Sequence, residues 1–276
     1  MGKGIFPEER DILRAKMLNY EQNLTIPAPE KSAGALAPNA VAFARSRLGF
    51  EPDVKQRAIL ESTSRRLILL CSRQWGKSTI AAIKAVHRAY TQPESLVVVA
   101  SPSERQSAEW LRKAEKFVRK LGISVKGDGD NAQSVKLPNG SRIVGLPGNE
   151  ATVRGFSAVN LLMIDEASRV KDELYWALRP MLATSGGDLW LMSTPFGQRG
   201  LFWEEWSEGG AEWMRVEGPA TDCARIPEEY LAEERRKMTA ALFEQEFLCR
   251  FTDTGEGMFP AELVDGSVAE HELLRL

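Results

Sequence analysis

Lys77, Ser78, Asp165 and Glu166 are the four residues whose types and neighbours could do chemistry together. The first two close the run Cys71-Ser72-Arg73-Gln74-Trp75-Gly76-Lys77-Ser78-Thr79. In the pattern G-x-x-x-x-G-K-[ST], loop amides and the next helix's N-terminus surround phosphates, the lysine reaches the β and γ phosphates, and the hydroxyl holds Mg²⁺. Cys71 replaces the first glycine, while Gly76, Lys77 and Ser78 are intact. Asp165-Glu166 follows Leu161-Leu162-Met163-Ile164, so two carboxylates leave the end of an apolar run. Asp165 suits Mg²⁺, a hard cation that takes oxygen ligands. Glu166 suits the orientation and deprotonation of an attacking water, a role worth on the order of 10² to 10⁴ in rate. Alone, the pair also fits a helix N-cap; beside a phosphate loop the joint reading is hydrolysis of ATP with Mg²⁺.

These groups need strands to aim them. Leu67-Ile68-Leu69-Leu70 before the loop reads as a short buried strand, and Thr79 to Tyr90 as the helix after it. Leu189-Trp190-Leu191-Met192 is a further apolar strand, ending in Ser193-Thr194-Pro195. Small hydroxyls at such a strand end can touch the γ-phosphate and report its loss, although the three residues also fit a simple turn. Leu96-Val97-Val98-Val99-Ala100 is continuous and apolar too, followed by a helix from Ser101-Pro102 to Leu121. Strands apolar throughout, alternating with helices, predict a parallel α/β sheet covered on both faces.

On the helix ending at Leu121, Leu111, Ala114, Phe117, Val118 and Leu121 share one face, and Arg105, Arg112, Lys116, Arg119 and Lys120 gather opposite. That basic face is either simply solvated or, with Arg142 on the following hairpin, a DNA-phosphate patch of Lys116, Arg119, Lys120 and Arg142. The hairpin is marked by Asn139-Gly140 between Val135 and Val144. Val41 to Ser62 carries another helical pattern that includes Gln56, whose amide can donate to and accept from an adenine edge.

Composition narrows the class. The chain has 276 residues with 36 Lys plus Arg against 38 Asp plus Glu, a net charge of −2, so any DNA contact must be local. That length suits one substantial core with a small satellite. Cys71, Cys223 and Cys249 are widely spaced, and with only His87 and His271 they form no metal-ligand cluster; a reducing cytoplasm fits. No stretch approaches the roughly twenty apolar residues of a membrane span.

The organisation read from the sequence is an N-terminal helix and Pro/Ala-rich arm over 1–40, an ATPase core over 41–197, a small lid over 198–252 and an acidic linker or tail over 253–276. Phe202, Trp203, Trp206 and Trp213 cluster in the lid, to serve its core or to stack on bases.

Taken together, these motifs resemble the large terminase subunit of tailed bacteriophages, the ATP-driven motor that packages DNA into a procapsid. The residues that carry the resemblance are Ser72 to Thr79, Val153-Arg154-Gly155-Phe156, Leu162 to Ala167, Ser193-Thr194-Pro195, Phe243-Glu244-Gln245-Glu246-Phe247-Leu248 and Phe259-Pro260. They span about residues 45 to 260. The resemblance implies an ASCE/RecA-like P-loop NTPase with a C-terminal lid. By it, Arg73 is the P-loop arginine, Gln56 the adenine-reading glutamine, Asp165 and Glu166 the Mg²⁺ and base positions, and Ser193 to Pro195 the coupling segment. Arg154 sits where family members carry an arginine that acts on a neighbouring subunit's nucleotide, although beside Gly155 it could equally brace its own loop. The implied partners are double-stranded DNA of any sequence, the portal and procapsid, the small terminase subunit and further copies of the chain in a ring, in the host cytoplasm. Family members usually carry a nuclease after the ATPase, and no second acidic cluster follows here, so no DNA cleavage is expected of this polypeptide. Two other readings fit the same core. One is a superfamily-1 or -2 helicase fragment, which would need a second such domain, and the other is a nucleotide-gated scaffold, which would not need Glu166.

Overall fold

The computed structural model describes residues 39–127, 129, 133–148 and 155–252. The expected N-terminal helix, the acidic tail and Arg154 lie outside the described residues.

The chain enters through two short helices, α1 (Ala40–Leu48) and α2 (Val54–Glu61). The sequence suggests one helical run here, but Gly49 takes a left-handed backbone that ends α1, and Pro52 follows. α2 restarts from a capping box in which Asp53 accepts from the Gln56 amide while the Gln56 side chain accepts from Asp53. Alternation then sets in: β1 (Arg66–Cys71), α3 (Lys77–Thr91), β2 (Leu96–Ser101), α4 (Glu104–Lys120), the hairpin β3 (Ser134–Lys136) and β4 (Arg142–Pro147), and β5 (Leu161–Asp165). After β5 come α5 (Asp172–Leu178), β6 (Asp188–Ser193), α6 (Gly200–Ser207), β7 (Trp213–Gly218), α7 (Glu228–Lys237) and α8 (Ala240–Leu248).

Among the described residues, all seven strands form one sheet in the order β3-β4-β2-β5-β6-β1-β7, parallel except for the β3–β4 hairpin. Successive side chains of a strand face opposite ways, which splits each apolar run between two cores. Leu67, Leu69, Val97, Val99, Met163 and Trp190 pack under α1, α3 and α4, whereas Ile68, Leu70, Val98, Ile164, Leu189 and Leu191 pack with α5 and α6. Burial on both faces is why these strands carry no polar alternation.

Because the strands are parallel, Cys71, Ser101, Asp165, Ser193 and Gly218 all end at the same edge of the sheet. β6 lies between β1 and β5, so Ser193 ends between the phosphate loop and the carboxylates. That edge is the place where an open α/β sheet binds its ligand.

One expectation is corrected. Trp213–Gly218 is a strand of the main sheet beside β1, so a domain border at residue 197 falls inside the core. Edge position hid it: Arg215 and Glu217 interrupt the apolar pattern because the strand has only one neighbour and its middle is half exposed. What stands apart is the hairpin of α7 and α8, with its own small core of Phe243 and Phe247 on Ala220, Leu231 and Met238. The aromatic cluster serves packing: Phe202 and Trp213 are buried in the second core, and Trp203 meets Phe251 edge-on at 4.7 Å.

Candidate active site

A cleft of about 640 Å³ opens over the carboxyl ends of the strands, floored by the loop between β1 and α3. Cys71 is the last residue of β1 and fully buried, its thiol pushed well above the usual range by burial. The left-handed positions of the loop are instead Gln74 (φ 62°) and Gly76 (φ 107°). The first glycine of the common pattern is dispensable here, because Cys71 keeps a strand conformation open to any residue. Gly76 is not dispensable: besides its φ, a Cβ would lie 3.2 Å from Gln56 Nε2.

Trp75 does not face the cleft as expected of a nucleotide contact. Its ring is 1 % exposed and lies against Gly218, where an added Cβ would come within 2.6 Å of it. The indole pins the loop to β7, and only the backbone serves the site. Ser72 donates its amide to the Gly218 carbonyl at 2.9 Å, a second pin. Ser72, Arg73, Gln74, Gly76, Lys77, Ser78 and Thr79 line the cleft.

Lys77 donates to Glu166 Oε1 at 2.8 Å. Burial works against the ammonium, but Glu166 and Asp165 outweigh it and hold Lys77 above its ordinary value. Ser78 Oγ lies 3.5 Å from Asp165 Oδ2, and Asp165 Oδ1 is buried with no hydrogen-bond partner. A hydroxyl, a carboxylate and an orphaned carboxylate oxygen are hard donors, the set that fits Mg²⁺. Glu166 takes a left-handed backbone at φ 53°, of the kind that costs on the order of 1–3 kcal/mol and recurs at functional sites.

Other assigned residues are engaged elsewhere. Arg73 Nε pairs with Glu246 Oε2 of α8 at 2.7 Å, so its guanidinium turns to the C-terminal hairpin. Gln56 lines the cleft, but its oxygen is spent in the capping box and its Nε2 approaches the Trp75 carbonyl at 3.5 Å. Ser193 and Thr194 are buried and do not line the cleft. Ser193 Oγ instead meets Ser168 Oγ at 2.6 Å, and Ser168 donates to the Thr194 carbonyl at 2.9 Å. Ser193 to Pro195 is therefore bolted to the turn that follows Glu166.

Several lining residues carry no motif and were invisible in the sequence. Arg225 donates to the Trp75 carbonyl at 2.6 Å, bracing the loop from beyond β7. Lys113 and Gln106 reach in from α4, Arg169 from the turn after Glu166, and Phe50 from the α1–α2 connection. Only the apolar periodicity of α4 pointed to any of them, by fixing which face turns away from the core.

A family model described as the N-terminal part of the T4likevirus-type terminase large subunit matches residues 68–265. The chain belongs to this family.

This terminase chain is 26 % identical over 175 residues to the large terminase subunit of Thermus virus P23-45, which covers 56 % of the chain and 36 % of that relative. The chain thus spans about a third of the length of the curated relative it matches. The large terminase ATPase domain of Thermus phage P74-26 shares its fold, with a TM-score of 0.68 at 22 % identity over 79 % of this chain and 100 % of that one. A large terminase of a thermophilic bacteriophage in complex with ADP superposes with a TM-score of 0.63 at 14 % identity, over 72 % of this chain and 53 % of that one. Terminase membership displaces the helicase reading.

The four residues of the suggested DNA patch come to the sheet end opposite the cleft, since α4 runs back from β2 and Arg142 opens β4. At least two of them have local work. Arg119 pairs with Glu115 at 3.1 Å, and Lys120 donates to the Leu48 carbonyl at 2.7 Å and sits over the Phe117 ring. Lys116 is exposed.

Burial pushes the Asp165 carboxyl up to about 6, with Lys77 opposing and Glu166 adding to the rise. A carboxyl raised in the folded state costs no stability below its unfolded value of roughly 4, and the cost is complete above about pH 6. Asp165→Asn should therefore stabilise the metal- and nucleotide-free protein at about pH 8 by on the order of 1–3 kcal/mol. The gain should shrink as the pH falls towards about 5, read from thermal unfolding in chelator. An unchanged melting temperature at the higher pH would mean that Lys77 already compensates the charge.

Proposed function

We propose that this chain is an ATP-hydrolysing motor domain that drives viral double-stranded DNA into a procapsid. The observation that carries the reading is that Lys77, Ser78 and Glu166 line one cleft, with buried Asp165 3.5 Å from the Ser78 hydroxyl, beyond the ends of two non-adjacent strands. Ser78 and Asp165 would hold Mg²⁺, which when bound neutralises charge on the β and γ phosphate oxygens. Lys77 cradles those phosphates, so ATP must draw it away from Glu166. Release of that ion pair frees the Glu166 carboxylate to take the proton of a water attacking the γ-phosphorus, as the bond to the ADP oxygen breaks. Phe50 offers an apolar face to the base, beside Gln56.

Transmission runs through the turn after Glu166, since Ser168 joins it to Ser193 and Thr194. A second link runs from Arg73 to Glu246 on the C-terminal hairpin. A motor holds any sequence, so its DNA contacts should be to phosphates, with affinity falling as salt rises; of the four candidates, Lys116 is exposed on the helix surface. The partners of this reading are the portal, the procapsid, the small terminase subunit and further copies of the chain in a ring, in the host cytoplasm. Steady-state phosphate release tests it. Turnover should need Mg²⁺, vanish in Lys77→Ala, and rise when DNA and portal-bearing procapsids are added. Mg²⁺-independent release, or release that survives Lys77→Ala, would overturn it.

A further inference from the structure

Arg169 is the last residue of the short 3-10 turn Ala167–Arg169 that follows Glu166, and it lines the nucleotide cleft. Its guanidinium lies over the Phe196 ring, 4.4 Å from the centroid. Its Nη1 is buried without any hydrogen-bond acceptor. Buried donors are almost always satisfied, and one attached to a fixed cation is costly to leave bare. The acceptor that completes this group should therefore arrive with a ligand. A planar, permanently charged fork suits phosphate oxygens, which it can hold through two parallel N–H bonds.

Position says which phosphate. Arg169 is three residues past Glu166 on the same turn, so its charge serves the end of the nucleotide that the water attacks. Phe196 fixes the plane from the other side, one residue beyond Ser193-Thr194-Pro195. The turn and the coupling segment are thus joined twice, through the Ser168 hydroxyl and through the Arg169–Phe196 stack.

We propose that Arg169 is a ligand of the terminal phosphate of ATP bound in its own subunit, and that Phe196 is the platform that holds it in register with the strand end. The proposal rests on the ATPase reading above. It adds a cation that the phosphate loop does not supply, because Arg73 is turned towards Glu246. It also gives the coupling segment a contact that changes when the γ-phosphate leaves, since Arg169 would lose its acceptor while Phe196 stays in place.

The test compares equilibrium binding of ADP and of a non-hydrolysable ATP analogue, both with Mg²⁺, to the whole chain and to Arg169→Ala, Arg169→Gln, Arg169→Lys and Phe196→Leu. One charged hydrogen-bond pair lost from the terminal phosphate should weaken the analogue by roughly 10- to 100-fold in Arg169→Ala and Arg169→Gln, and ADP much less. Lysine, a point charge without the fork, should recover part of the loss. Phe196→Leu keeps the guanidinium and loosens its plane, so its effect should be smaller but have the same ATP-over-ADP selectivity. Equal weakening of ADP and analogue, or no weakening of either in folded variants, overturns the proposal. Should Arg169→Ala not fold, Arg169→Gln decides the matter on the same criterion, and unselective behaviour in Phe196→Leu counts against the platform. Lys77→Ala separates this outcome from failure of the ATPase reading. If Lys77→Ala abolishes binding while the Arg169 variants bind normally, only the Arg169 assignment falls; if the unmodified chain binds neither nucleotide, the ATPase reading falls first.

Discussion

Glu166→Gln should bind ATP at least as tightly as the unmodified chain and hydrolyse it at least about 10²-fold more slowly. Both halves follow from the ion pair between Glu166 Oε1 and Lys77 Nζ at 2.8 Å. In the free protein this pair competes with the nucleotide for the lysine, so removing the carboxylate charge leaves Lys77 readier for phosphate. The amide keeps the shape of the side chain but has no lone pair basic enough to accept the proton of the attacking water. Lys77→Ala gives the opposite pattern, with binding lost first. Calorimetric titration with ATP and single-turnover phosphate release measure the two halves separately. Near-normal turnover in Glu166→Gln would move the base to another residue, and weakened binding would show that Glu166 supports the loop rather than competing for its lysine.

Much of this arrangement was legible in the sequence, and the reason is physical. Parallel strands buried on both faces must be apolar throughout, so β1, β2, β5 and β6 announce themselves as short runs, and the residues just past them must lie at one edge of the sheet. That logic places Lys77, Ser78, Asp165 and Glu166 together from the sequence alone. It failed where burial is partial or a contact is distant in sequence. β7 is an edge strand, and its Arg215 and Glu217 broke the pattern. Trp75 sits inside a phosphate loop, yet its ring serves the core, a fate set by Gly218 far along the chain. Arg225 and Arg169 belong to no pattern of spacing; only the folded chain brings one to the Trp75 carbonyl and leaves the other with a buried, unpaired nitrogen. Ser193 is placed at this edge by the sequence, but its bond to Ser168 is not legible there, because a strand end fixes position and not partner.

Mixing inactive Arg154→Ala with inactive Glu166→Gln should restore ATPase activity under conditions where the unmodified chain assembles, and mixing Arg169→Ala with Glu166→Gln should not. The contrast separates a cation supplied by a neighbouring subunit from one supplied by the same subunit. Arg154 is assigned to the neighbour's nucleotide by family resemblance, and fingers of that kind are worth roughly 10³ to 10⁵ in rate. In a mixed ring, an interface with Glu166 intact on one side and Arg154 intact on the other is complete, although neither parent has one. Arg169 lies three residues from Glu166 on the same turn and lines the same cleft, so every site in its mixture lacks one or the other. Activity should therefore climb with the fraction of complete interfaces in the first mixture, peaking near equal proportions, and stay at the level of the parents in the second. No recovery with Arg154→Ala, in rings shown by sedimentation to contain both variants, would return Arg154 to bracing its own loop. Recovery with Arg169→Ala would mean that this arginine, too, acts across the interface.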